Sequence, residues 1–76
     1  MSPVQSRMAR AGLNWTSDEL AKRAGLGVNT VTRFEQGKES YLTTVRKLQR
    51  TFEAAGVEFL DENGLRLHQP DAIRER

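Results

Sequence analysis

Thr16-Ser-Asp-Glu-Leu-Ala-Lys-Arg-Ala-Gly25-Leu-Gly-Val-Asn-Thr-Val-Thr-Arg-Phe-Glu-Gln-Gly37 reads as two short helices joined by a tight turn. Thr16 is placed to cap the first helix, and Glu19, three residues on, completes the pattern of a capping box. Trp15 before the cap and Leu20 inside the helix are spaced for a hydrophobic staple. Asp18 and Glu19 sit at the positive end of the helix dipole. The helix runs to Ala24, and Gly25 supplies the turn. A second helix is expected over residues 28–36, with Gly37 as its terminator. Two helices crossing steeply need a small residue at their closest approach and apolar residues where each meets the core. Ala21 fills the first role. Leu20, Ala24, Leu26, Val31 and Phe34 fill the second, and the unit spans residues 17–36.

The flanking sequence extends the pattern. Ser2-Pro3-Val4-Gln5 opens another helix, with Ser2 as cap, Pro3 at the first position and Gln5 closing a capping box. Val4, Met8 and Ala11 fall on one face at helical spacing, and Gly12 is the expected stop. After a polar loop at Lys38-Glu39-Ser40, a fourth helix is expected from about 42–44 to Ala55. Val45, Leu48, Phe52 and Ala55 form its apolar stripe, with Arg46, Lys47 and Arg50 opposite. Beyond Gly56 the period changes. Val57-Glu58-Phe59-Leu60 and Leu65-Arg66-Leu67-His68 read as strands, with Asn63-Gly64 between them as a two-residue hairpin turn. That turn would pair Asp61 with Arg66, Leu60 with Leu67 and Phe59 with His68. The organisation expected is a helical bundle over 1–56, a hairpin over 57–68 and a polar tail over 69–76.

Composition narrows the function. A chain of 76 residues is one small, marginally stable domain, for which dimerisation is a common remedy. It has no cysteine and a single histidine, His68, so thiolate and histidine-rich metal sites are excluded and no cofactor is expected. No apolar run approaches the roughly 20 residues of a membrane helix, and the N-terminus lacks a signal-peptide core, so a soluble cytoplasmic protein is expected. Neither a nucleophile motif nor a phosphate loop is present, which argues against an enzyme. Net charge is +2, unevenly spread. Residues 1–56 hold nine Lys and Arg against five acids, whereas residues 57–76 hold three against five. The helical part therefore carries the potential that could meet a polyanion.

The stretch from Thr16 to Gly37 resembles the Cro/cI-type, or XRE, helix-turn-helix family, and the likeness covers roughly residues 2–56. Arg10 and Glu35 match the arginine and glutamate that commonly pair across the first and third helices of that family, and are read as a structural ion pair. The resemblance implies a mainly α, lambda-repressor-like bundle of about four helices, here with a C-terminal β-hairpin. It also implies binding of double-stranded operator DNA, usually as a homodimer.

The residues themselves supply a face for that task. At 100° per residue, Thr30, Val31 and Phe34 cluster on one side of helix 28–36, while Asn29, Thr32 and Gln36 point away, flanked by Val28 and Arg33. The major groove admits a helix with such a face. Arg33 can read guanine, Asn29 adenine, Thr32 either a polar edge or a methyl, and Val28 a thymine methyl. Phosphate contacts are expected from Thr16 and Ser17, and from Gln36, Lys38, Ser40 and Thr43, with help from Arg46 and Lys47. Three positions depart from the family pattern. Ser17 stands where glutamine is frequent, Gly27 where a capping Ser or Thr is usual, and Val28 where a polar base-reading residue is common. The leading expectation is a sequence-specific transcriptional regulator, a repressor or autoregulator, bound as a dimer to a palindromic operator and so associated with the nucleoid. The alternative is a protein-interaction module of the same fold, an anti-activator or antitoxin that silences a second regulatory protein. Its partner surface, or a dimer surface, would lie at Phe59, Leu60, Leu65 and Leu67 of the hairpin.

Overall fold

A computed structural model describes residues 1–38, 41–61 and 63–68 of the chain. Four helices are followed by a hairpin: α1 Pro3–Leu13, α2 Ser17–Ala24, α3 Val28–Glu35, α4 Leu42–Ala54, β1 Val57–Phe59 and β2 Leu65–Leu67. The bundle is built around a core of Ala9, Leu20, Ala21, Val31, Phe34, Leu48, Phe52 and Val57. Trp15 stacks on Phe52 at 5.8 Å between centroids, and Phe59 meets the same ring edge-on at 5.9 Å. One phenyl ring thus joins the entry to α2, the last turn of α4 and the hairpin.

The helix boundaries follow from their caps. Ser2 and Gln5 form the reciprocal capping box of α1, with Pro3 inside the first turn. Thr16 accepts from the Glu19 amide, but the return bond of a capping box is not made, because the Glu19 carboxylate turns to Arg23 at 3.2 Å. Three helices then close in one way. Trp15 N–H reaches Arg10 O and Asn14 N–H reaches Ala11 O after α1. Leu26 and Gly25 repeat this after α2, and Lys38 and Gly37 after α3. This paired closure satisfies the last carbonyls and requires a left-handed residue past the helix end. Gly25 takes that conformation at φ 70 in the α2–α3 turn.

Three further expectations from sequence are corrected. First, α1 continues through Gly12 and ends at Leu13, with Asn14 (φ 60) as the left-handed cap. Gly12 serves close approach instead: a Cβ there would run into the Leu67 side chain. Second, the face carrying Val4, Met8 and Ala11 is the exposed side of α1, and Gln5, Ser6 and Ala9 are buried. The two polar residues are tolerated inside because each is bonded. Gln5 Nε2 donates to Leu60 O at 2.8 Å and Gly64 O at 2.7 Å, and Ser6 Oγ donates to Glu35 Oε2. Third, the hairpin register is Val57↔Leu67, Glu58↔Arg66 and Phe59↔Leu65.

The register differs because Asn63-Gly64 does not form a two-residue turn. Such a turn needs positive φ at both residues, and only Asn63 has it, at φ 67. Instead, Leu60 N–H bonds Gly64 O and Gly64 N–H bonds Asp61 O. An odd shift in register exchanges the two faces. Val57, Phe59, Leu65 and Leu67 therefore turn to the core, and Glu58 faces Arg66 on the outside. The stripe of α4 lies as expected, with Leu48 and Phe52 buried and Val45 and Ala55 half-buried.

Candidate nucleic-acid interface

Helix α3 divides as its sequence dictates. Val31, Phe34 and Glu35 are buried, while Val28, Asn29, Thr32, Arg33 and Gln36 are exposed. Thr30 is intermediate. The backbone of α3 begins at Gly27, whose carbonyl accepts from Thr30 and Val31 N–H without any side-chain cap. The outward side thus presents two amides, a hydroxyl and a guanidinium on a rigid rod, with apolar Val28 38% exposed at its N-terminal end.

That rod is fixed from behind by α1. Arg10 grips Glu35 through Nε, at 3.2 and 3.0 Å to the two carboxylate oxygens, and through Nη2 at 2.8 Å. Ser6 Oγ supplies a further donor to the carboxylate. Arg7 donates to the Glu35 backbone carbonyl, so three α1 side chains hold the last turn of α3. The carboxylate is only 6% exposed, and a buried charge persists only when paired and hydrogen-bonded in this way.

The same arrangement shapes a cleft. Arg7, Arg10, Ser17, Thr32, Glu35 and Gln36 line it, and it opens between α1, the start of α2 and the outer side of α3. Two guanidinium groups there outnumber one carboxylate. Two hydroxyls and an amide add uncharged donors suited to phosphate oxygens. The structure therefore brings Ser17, Thr32 and Gln36 together. Thr16 lies at the α2 N-terminus, exposed, with its oxygen engaged by the Glu19 amide. Lys38 follows α3, and Thr43 is exposed in the first turn of α4. Ser40 lies outside the described residues. Arg46 and Lys47 are exposed on α4.

Arg7 is the residue that reasoning from sequence passed over. Its signal was its spacing: it stands three residues before Arg10 on α1, and so on the same side of the helix. The hairpin positions fall differently. Phe59, Leu65 and Leu67 are half-buried against the chain's own core, and of the four only Leu60 is exposed, at 37%. Outside, Glu58 receives a hydrogen bond from His68 at 2.8 Å and lies 3.5 Å from Arg66. The His68 bond, more than the Arg66 charge, holds the Glu58 carboxyl below its ordinary range. No helix among the described residues is long and apolar enough to cross a membrane.

A family model described as helix-turn-helix matches residues 7–59 of the chain. A search of curated proteins finds no match.

Proposed function

This chain belongs to the helix-turn-helix family of DNA-binding regulators, and we propose that it is a sequence-specific repressor or autoregulator that lays α3 in the major groove. The observation that carries this reading is the solvent-exposed outward side of α3, where Asn29, Thr32 and Arg33 are exposed while Val31, Phe34 and Glu35 anchor the helix. Arg33 reads guanine and Asn29 reads adenine, each bidentate contact discriminating by roughly 1–3 kcal/mol. Val28 packs on a thymine methyl. Ser17, Gln36, Lys38 and Thr43 hold the backbone phosphates, joined by Arg7 from the cleft. Two copies related by a two-fold axis place their α3 helices about one DNA turn apart on a palindromic operator. The exposed Leu60 at the hairpin end contributes to that dimer.

The test is selection of bound sequences from a random duplex library, followed by titration of the enriched site and of a shuffled control at several salt concentrations. The reading requires tighter binding to the enriched site, with affinity falling steeply as salt rises. Equal binding to both duplexes defeats it.

A further inference from the structure

Helix α4 carries a second exposed surface, whose clefts share no residue with the cleft beside α3. Two clefts run along its sides, and Arg50 borders both. One is floored by Trp15, Ala54 and Ala55, with Arg23 at its edge. The other is lined by Met1, Leu42 and Val45, with Arg46 beside them and with Gln49 and Glu53, whose carboxylate is engaged by the Gln49 amide at 3.0 Å. Neither includes any residue of the α3 cleft. Leu42 is 62% exposed, a large apolar side chain open to water at one end of this band. The Arg23 guanidinium lies 4.4 Å over the Trp15 ring and also meets Glu19. Among the described residues, neither Arg46 nor Arg50 has an ion-pair or side-chain hydrogen-bond partner. They stand four residues apart, one turn along the exposed ridge, with apolar floors to either side.

We propose that this face of α4 docks an acidic amphipathic helix of a partner protein. Its carboxylates, also spaced one turn apart, meet Arg46 and Arg50, and its apolar side chains settle into the clefts beside Trp15 and Leu42. The charge of the surface selects this occupant. A second copy laid α4 against α4 would bring three cations, Arg46, Lys47 and Arg50, and one acid, Glu53, from each side to the contact, a net like charge that disfavours self-association here. An apolar helix without acids would leave both guanidinium groups uncompensated at the contact. Helix-in-groove recognition uses anchors at this kind of spacing, and unpaired guanidinium groups beside apolar floors are its complement. The proposal does not depend on the DNA reading, since none of its residues lines the cleft beside α3.

Trp15 is the only tryptophan, so its emission reports on one of the two clefts directly. The probe is a synthetic helical peptide of about four turns with Glu at i and i+4 and Leu on the adjoining face. Its controls are a scrambled peptide of the same composition and a version with Lys for Glu. A saturable change in Trp15 emission is expected with the patterned peptide, weaker by roughly tenfold or more with the scrambled one. The Arg46→Glu/Arg50→Glu variant, checked for folding by circular dichroism, should lose the acidic peptide and gain the lysine version. Arg33→Ala should leave the titration unchanged. Binding should persist when the protein is first saturated with a mixed-sequence duplex at low salt. No saturable change at millimolar peptide overturns the proposal, as does equal binding of the scrambled peptide. If the duplex displaces the peptide and Arg46→Ala/Arg50→Ala weakens duplex binding, the ridge holds DNA and the proposal fails. It also fails if Trp15 emission shifts with protein concentration alone, because the clefts then hold a second copy.

Discussion

Arg10 and Glu35 lie 25 residues apart in sequence and meet through a guanidinium laid across both carboxylate oxygens, which joins α1 to the last turn of α3. Glu35 is buried and Arg10 is 21% exposed, so removing one member strands the other's charge in a poorly solvated place. Arg10→Ala is expected to cost about 3 kcal/mol of unfolding free energy. That is a large share of what so small a domain has to lose. Replacing both with apolar residues should recover much of the loss, since the pair offsets its own desolvation and adds little more. Urea denaturation of the two single variants and the double variant measures this, and an Arg10→Ala loss under about 0.5 kcal/mol would show the pair to be ornamental.

For the readout side of α3 the expected effects are on DNA and not on folding. Arg33→Ala and Asn29→Ala should each weaken binding to the selected operator by about 1–3 kcal/mol and relax preference at one base position. Lys38→Ala should weaken all duplexes alike and lower the salt dependence by about one phosphate contact. Competition binding with single-base operator variants separates the two behaviours.

At the junction of α4 and β1, Gly56 adopts φ 98 and its carbonyl accepts from His68 N–H at 2.7 Å. A Cβ at this position would collide with the backbone carbonyl of His68. Strain at positive φ alone costs about 1–3 kcal/mol. Gly56→Ala should therefore lower stability by about 2 kcal/mol or more and loosen the hairpin, seen as faster amide exchange across residues 57–67.

Outside the hairpin, the bond from His68 and, to a smaller extent, the Arg66 charge depress the ionisation of Glu58. A carboxyl depressed by folding adds stability that is complete above its ordinary pKa and disappears as pH falls through the lowered folded value. Wild type and Glu58→Gln should thus converge in acid and separate as pH rises through the carboxylate range. The gap should be small, because the group is exposed, and it should shrink with salt. Thermal melts across that range provide the comparison, and an unchanging gap would refute the assignment.

Gln5 fastens the hairpin turn to α1, donating from one amide nitrogen to two carbonyls, Leu60 O and Gly64 O. Gln5→Leu keeps the bulk but strips Leu60 O of this donor and Ser2 N–H of its capping-box acceptor, while Gly64 O keeps the Leu60 N–H. A loss of about 1–3 kcal/mol is expected, read by chemical denaturation.

The helices were legible because their signals are local. Ser2, Thr16, Gly25 and Gly37 act within a few residues of themselves, and the apolar spacing of α2, α3 and α4 points each inward. The inner side of α1 was hidden for the opposite reason. Ser6 and Gln5 are polar, and they are buried only because Glu35, Leu60 and Gly64 arrive from far along the chain to bond them. Periodicity sees Val4 and Met8 and cannot see those partners. In the hairpin two signals competed. Asn63-Gly64 suggested a tight turn, while the alternation Val57, Phe59 against Glu58, and Leu65, Leu67 against Arg66, indicated which residues face inward. Burial of four apolar side chains outweighs the preference of a single turn. On the outward face of α3, the exposure of Asn29, Thr32 and Arg33 follows from helical geometry once Val31 and Phe34 are placed in the core. Arg7 entered the cleft only through the fold, since its bond to the Glu35 carbonyl spans two helices.

The clamp on the last turn of α3 has an evolutionary corollary. It engages Glu35, and the core engages Val31 and Phe34, so none of the residues that hold the helix in place is among those proposed to read bases. Substitutions at 28, 29 and 32 can therefore accumulate at little risk to folding. A lineage built on this scaffold is free to drift from one target sequence to another while the architecture beneath stays fixed.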